Sequence, residues 1–305
     1  LMIIFIIKLI IIILIMPYVL HIFDPWKSPL CTCPTKYSLS PYTGCGHACR
    51  YCYITSYIRN AFNPRIKKNF LYYLKKDLTK VDLSIPISIS NSSDPYTPPE
   101  DKIKLTHETL KIISSFNAKA IIITKSSLII RDLDILKKGK FTVSMSITTL
   151  NNELSQKLEP YASLPLMRIN TLKILCREKI PCSIRIDPII PEINDDYNSI
   201  KEIISLAAKI GINHIVSSTY KAKSDNFKRI LITFPNKSEI LKTLYIDKGI
   251  KIGRIRYMNE KIRFNYMKMI KELADEFGLT FSTCREGFKY LHTSKTCDGS
   301  HLIPD

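Results

Sequence analysis

Three cysteines, Cys45, Cys49 and Cys52, sit close together in the run Ser40-Pro41-Tyr42-Thr43-Gly44-Cys45-Gly46-His47-Ala48-Cys49-Arg50-Tyr51-Cys52-Tyr53. A C-x3-C-x2-C spacing in a glycine-containing loop suits three thiolates on a four-iron cluster. Clusters that only carry electrons usually take four cysteines, so three leave one iron open to a ligand from outside the chain. Two other readings compete. These offsets would also put three small side chains on one helix face, but Gly44 and Gly46 disfavour a helix start there. Zinc would need a fourth ligand, and its sites more often carry paired C-x2-C.

C-x3-C-x-aromatic-C, with Tyr51 as the aromatic residue, resembles the signature of the radical S-adenosylmethionine (SAM) superfamily. Further stretches are similar to its spore photoproduct lyase-like branch: Asn91-Ser92-Ser93-Asp94-Pro95-Tyr96, Thr124-Lys125-Ser126, Arg131-Asp132-Leu133-Asp134, Ser144-Met145-Ser146-Ile147-Thr148-Thr149 and Arg185-Ile186-Asp187-Pro188. The resemblance runs from about Phe23 to Tyr220. It implies a partial (β/α)6 barrel with a [4Fe–4S] cluster at its mouth on Cys45, Cys49 and Cys52. SAM would bind the open iron, and an electron from a low-potential donor would cleave it to a 5′-deoxyadenosyl radical that abstracts hydrogen from substrate. The resemblance further implies that Tyr51 lies against the adenine and that Ser92, Ser93 and Asp94 approach the methionine portion. Lys125 would meet the SAM carboxylate, Ser144 or Ser146 the ribose, and Arg185 the cofactor or substrate. On this reading Lys125 and Arg185 are the catalytic candidates. Arg185 and Asp187 could equally form a structural ion pair at the rim. The branch also implies a lyase-type reaction, but spore photoproduct lyases are associated with a hydrogen-donating cysteine after the second strand, and Asn91-Ser92-Ser93 has none. Thymine-dimer repair therefore does not carry over.

Of the nine cysteines, Cys31, Cys33, Cys284 and Cys297 lie outside the expected barrel, two early and two late. Together they could close a second four-ligand site holding zinc or an auxiliary [4Fe–4S] cluster; as four free thiols they would need no ligand. Cys176 and Cys182 read as core residues. An odd number of cysteines in a chain this long points to metal ligation in a reducing, cytoplasmic compartment rather than to a disulfide scaffold.

The positions that must hold these groups follow from alternation along the chain. Short β-branched runs at Ile85–Ser90, Ala120–Thr124, Phe141–Ser146, Cys182–Asp187 and His214–Ser218 alternate with helical stretches at Ile103–Ser115, Leu128–Lys137, Arg168–Lys179 and Ser199–Ile210. With a first strand near Tyr37–Tyr42 this makes six βα units, which pattern alone allows to be a full barrel, a partial barrel or an open doubly wound sheet. Ser92 to Asp94, Lys125, Thr148, Thr149 and Asp187 follow the strands, so they either share one mouth or cap the next helices. We divide the chain into an apolar segment (1–22), a cysteine-containing extension (23–36), the core (37–235) and a helical extension carrying Cys284 and Cys297 (236–305).

The apolar run from Met2 to Met16 reads either as a mis-called start, with translation beginning at Met16, or as a membrane anchor through residues 2–23. A formal charge of +18, from 45 Lys+Arg against 27 Asp+Glu, favours an anionic partner such as nucleic acid; compositional bias toward lysine explains it equally. Protein or small-metabolite modification by the same radical is a second reading, and a non-enzymatic zinc or iron–sulfur nucleic-acid-binding protein a third. Oligomeric state leaves no signal.

Overall fold

A computed structural model of the chain describes residues 18–23 and 28–305. Its strands follow from a period of two. In Lys140–Ser146, Phe141, Val143 and Met145 enter the main apolar core, and Thr142, Ser144 and Ser146 take the other face. In Cys182–Ile189, Ile184 and Ile186 do the same against Ser183, Arg185 and Asp187. One face of each strand thus packs on helices, while the other carries polar groups into the interior.

The main sheet has eight strands: β1 (His21–Ile22), β2 (Tyr37–Leu39), β3 (Ile87–Ile89), β4 (Lys119–Thr124), β5 (Lys140–Ser146), β6 (Cys182–Ile189), β7 (His214–Thr219) and β8 (Thr280–Thr283). Their order in the sheet is their order in the chain, β1 pairing antiparallel with β2 and the rest running parallel. Parallel crossovers share one hand, so an order that never reverses sends every connecting helix to the same face. A doubly wound sheet needs a reversal, and none is present. With β1 and β8 at opposite ends of the sheet, the result is the expected partial barrel. The helices on its outside include α1 (Phe70–Leu78), α2 (Leu105–Ser115), α3 (Leu133–Lys138), α4 (Pro165–Arg177) and α5 (Tyr197–Lys209); α6 (Ser224–Thr233) instead packs on the cysteine loop, where Asn226 donates to the Tyr51 carbonyl at 2.8 Å, and α7 (Glu260–Glu276) follows.

Two helices begin later than their pattern, and α4 and α5 begin two or three residues earlier. Lys104, at φ +56°, separates Glu100–Ile103 from α2, and a 3-10 segment, Ser127–Asp132, precedes α3.

Residues 236–305, read as a helical extension, depart most. They do contain α7, but also the hairpin Ile250–Ile252/Ile255–Tyr257 and a seventh parallel strand, β8, on the edge of β7. Thr280–Thr283 is too short and too polar to signal a strand; its partner His214–Thr219 decides it. The chain then returns into the barrel interior. Gly299, at φ +89°, is so close to Ser183 that an added Cβ would lie 3.1 Å from its hydroxyl, and Ser282 Oγ donates to the Cys297 carbonyl at 2.9 Å. Serine, threonine and histidine on the inner strand faces thus find partners in this tail.

At the other end, the membrane or start-site reading of Met2–Met16 lies outside the described residues. Tyr18 to Ile22, which follow it, join the fold: the amides of Tyr18, Val19 and Leu20 donate to the buried Asp77 carboxylate at 2.9, 2.7 and 3.0 Å, and β1 follows directly. The 22/23 boundary therefore falls beside a strand of the sheet. No helix among the described residues is long and apolar enough to cross a membrane. Asp77→Ala would leave three amides without their acceptor, and should cost about 2–3 kcal/mol, read by denaturant unfolding, with faster amide exchange confined to residues 18–22.

Candidate active site

The cysteine loop rises from the end of β2, where Tyr42–Thr43 pairs antiparallel with Arg65–Ile66. Gly44, at φ +86°, lies against the Ala61 carbonyl, which would sit 2.6 Å from an added Cβ. The next amide, Cys45, donates to that same carbonyl at 2.7 Å, so only glycine permits the turn that presents Cys45. All three thiols then line one cavity of about 490 Å³ at the carboxyl ends of the strands, with Lys125, Ser146 and Arg185 on its walls.

Asp94 holds this mouth together. Its carboxylate accepts from Thr124 Oγ1 at 2.8 Å, the Lys125 amide at 2.7 Å and the Tyr96 amide at 2.9 Å, and it lies 3.4 Å from Nδ1 of His47. The loops after β3 and β4 and the cysteine loop are thereby joined through one buried side chain. Burial would drive His47 toward neutrality, but Asp94 and Cys45 outweigh it and push its pKa up to about 10. Cys45 is in turn lowered, because His47 outweighs burial. Burial pushes Cys49 well up and Cys52 up to about 11. Asp94 was expected near the methionine portion of SAM; it lines the cavity, yet its oxygens are engaged by protein donors.

Tyr51 is buried and its hydroxyl donates to Glu159. Glu159 pairs with Arg168 at 2.5 Å and accepts from Thr148 Oγ1 at 3.0 Å. Arg168 in turn donates to the Ser146 carbonyl at 3.0 Å, and Lys125 Nζ stands 5.7 Å from the Tyr51 ring centre. Burial opposes the charge on Lys125, but Cys49 and Glu159 outweigh it and hold its pKa above the ordinary value. Sequence reasoning missed the Glu159–Arg168 pair. The helix carrying Arg168 also holds Asn170, Lys173 and Arg177, so nothing in its pattern marked the pair.

The remaining expectations divide. Ser92, Ser93 and Ser146 line the cavity. Ser144 does not: one strand pleat deeper, it accepts from Ser183 Oγ at 2.9 Å, because register sets Ser144 opposite Ser183 and Ser146 opposite Arg185. Thr148 and Thr149 also fall short of the mouth, Thr148 bonding Glu159 and Thr149 capping the Asn151 amide at 3.1 Å. Arg185 reaches the cavity while paired with Asp187 at 2.7 Å, which Ser218 holds at 2.5 Å. Of the early and late cysteines, Cys33 and Cys284 line the same cavity.

The clustered thiols Cys45, Cys49 and Cys52, with Lys125 and Arg185 facing the same space, fit a soft-ligand cluster and a carboxylate-bearing ligand beside it. The sequence model of the Radical SAM superfamily matches residues 39–206, more than half of the chain. The chain belongs to the radical SAM superfamily. This radical SAM enzyme therefore uses a [4Fe–4S] cluster and S-adenosylmethionine, with Cys45, Cys49 and Cys52 as the residues that would hold the cluster. Among relatives, it is 34% identical over 179 residues to an uncharacterized protein of Methanocaldococcus jannaschii, covering 56% of this chain and 66% of that one. It is 24% identical over 256 residues to a radical SAM Nalpha-GlyT isomerase of Pseudomonas phage M6, covering 81% and 53%. The matches thus span between half and two thirds of these relatives' lengths. Among solved structures, the fold is that of a spore photoproduct lyase mutant bound to AdoMet and dinucleoside spore photoproduct (TM-score 0.65, 17% identity, 80% of this chain and 75% of that one). It is also that of Streptococcus suis SuiB bound to S-adenosylmethionine (TM-score 0.58, 18% identity, 84% and 53%).

Two predictions follow from the wall of this cavity. Lys125→Met should weaken SAM binding about tenfold or more, measured by equilibrium dialysis, with iron content unchanged. Glu159→Gln strands a buried guanidinium and should cost about 3 kcal/mol at neutral pH. Burial raises the Glu159 pKa, but Arg168 and Lys125 outweigh it and leave it lowered; its contribution is therefore present above the unfolded-state value and lost as pH falls through the folded one. The acid limb of the melting-temperature profile should flatten in the variant.

Proposed function

We propose that this radical SAM enzyme abstracts a hydrogen atom from a nucleic-acid substrate. The observation that carries the reading is the mouth of the cavity, where aromatic faces and cations stand together. Tyr53 and Tyr57 line it, and Lys223 Nζ lies 5.6 and 5.2 Å from their ring centres. Ring faces that accept stacked bases, beside cations that accept phosphates, are how single strands are held without sequence readout. The +18 charge and the dinucleoside bound in the spore photoproduct lyase structure point the same way.

When bound and reduced, the cluster and SAM supply the hydrogen-abstracting radical. The chain's own residues do the rest. Lys125 and Arg185 supply positive charge for the carboxylate of the cofactor, Ser146 presents a hydroxyl on the opposing strand, and Tyr51, fixed by Glu159, forms the floor beside Lys125. The buried walls of the cavity, among them Cys49, Tyr51 and Asp94, limit the water around the radical. The reducing electron comes from a separate low-potential donor. A peptide substrate is the second reading, since SuiB was also solved with its precursor peptide (TM-score 0.55, 81% of this chain).

Anaerobically reconstituted protein with dithionite should form 5′-deoxyadenosine from SAM, and should bind a single-stranded oligonucleotide with an affinity that falls steeply with salt. Tyr53→Ala should weaken that binding about tenfold while leaving uncoupled SAM cleavage intact. Absence of oligonucleotide binding at low salt, with SAM cleavage intact, would reject nucleic acid and leave the peptide reading.

A further inference from the structure

Beyond the superfamily's own cluster, the fold brings the segment before β2 and the tail after β8 to the wall of the same cavity. Cys31 and Cys33 precede β2, Cys284 follows β8, and Cys297 lies in the tail that enters the barrel. The contacts joining these segments are specific. Lys36 Nζ meets Asp298 at 2.5 Å, both side chains buried, the Gly287 amide donates to the Leu30 carbonyl at 3.0 Å, and the Cys297 thiol donates to Cys33 Sγ at 3.5 Å. Cys33 and Cys284 face the cavity that Cys45, Cys49 and Cys52 also line.

An independent observation marks the same place as lacking negative charge. Arg285, next to Cys284, is only 6% exposed and takes a left-handed backbone at φ +56°. Its Nε and Nη2 are buried with no hydrogen-bond partner. Every other buried cation on this wall has a carboxylate: Lys36 has Asp298, Arg185 has Asp187, and Lys221 has Glu286 at 3.0 Å. The Arg285 guanidinium stands 5.8 Å from the Tyr53 ring, but a ring face is not a counter-charge; a buried guanidinium without one is costly, and strained groups of this kind collect at ligand sites.

We propose that Cys31, Cys33, Cys284 and Cys297 bind a second, thiolate-ligated metal centre, either an auxiliary [4Fe–4S] cluster or a zinc ion, with Arg285 as its counter-charge. Four thiolates make either centre net negative, which supplies what Arg285 lacks. Among the described residues no three His, Cys, Asp or Glu side chains already form a site for a metal ion. That holds for Cys45, Cys49 and Cys52 too, so both thiol sets complete their geometry on loading. The Cys33–Cys297 hydrogen bond gives way as both thiols release their protons to solvent and bind the metal as thiolates.

The test removes the first centre to expose the second. The C45A/C49A/C52A variant, reconstituted anaerobically, should retain about four iron and four sulfide, or about one zinc, per chain, and metal analysis says which. Adding Cys33→Ser and Cys297→Ser should abolish that retention. A folded triple variant that keeps neither metal overturns the proposal. Should the fivefold variant fail to fold, alkylation of the wild-type chain read by mass spectrometry replaces it. Cys31, Cys33, Cys284 and Cys297 should be protected together and released together by a chelator; four independent reactivities overturn the site. Arg285→Met should speed metal loss to the chelator several-fold in the triple variant, and an unchanged rate removes Arg285 from the proposal.

Discussion

Everything at the mouth of this barrel hangs on Asp94. One buried carboxylate takes donors from the loop after β4, through Thr124 and the Lys125 amide, and from its own loop through Tyr96, and it faces His47 in the cysteine loop. A buried carboxylate without partners would be intolerable, so these three loops can close only in the arrangement that satisfies it. That arrangement puts Cys45 and Lys125 on one cavity. The residue between the first two cysteines is therefore as much a part of the site as the thiols: His47 carries the positive charge that answers Asp94 and draws down Cys45.

Charge compensation organises the remaining walls. The interior of a parallel barrel would ordinarily be filled with branched apolar side chains. Here the inner strand faces carry Ser144, Ser183, Arg185 and Asp187, and each is paired. Glu159 and Arg168 act in the same way under Tyr51. Pairing of this kind contributes less to stability than to geometry, since breaking one partner costs far more than the pair adds. The consequence is a rigid, polar cavity in which Lys125 and Arg185 stay charged and in place.

The C-terminal tail has a structural job that a helical extension could not perform. By entering the barrel beside Ser183 and His214 it closes the polar interior opposite the mouth. It also ties the last residues to the segment before β2 through Lys36 and Asp298. The segment before β2 and the tail after β8 together form one wall of the cavity.

Local sequence determined what local physics controls. The β-branched runs and their period of two marked the parallel strands, and the glycine-flanked cysteine spacing singled out Cys45, Cys49 and Cys52, because those features are read within a few residues of chain; the choice of a partial barrel over a doubly wound sheet came from the family resemblance and from the strand order. Tertiary structure alone decided the rest. Which inner-face serine reaches the mouth depends on the β5–β6 register, which places Ser146 and not Ser144 beside Arg185. β8 exists because β7 offers it an edge, and Glu159 meets Tyr51 across 108 residues. Contacts of that separation leave no periodic trace in a sequence, since their partners are chosen by the fold and not by their neighbours.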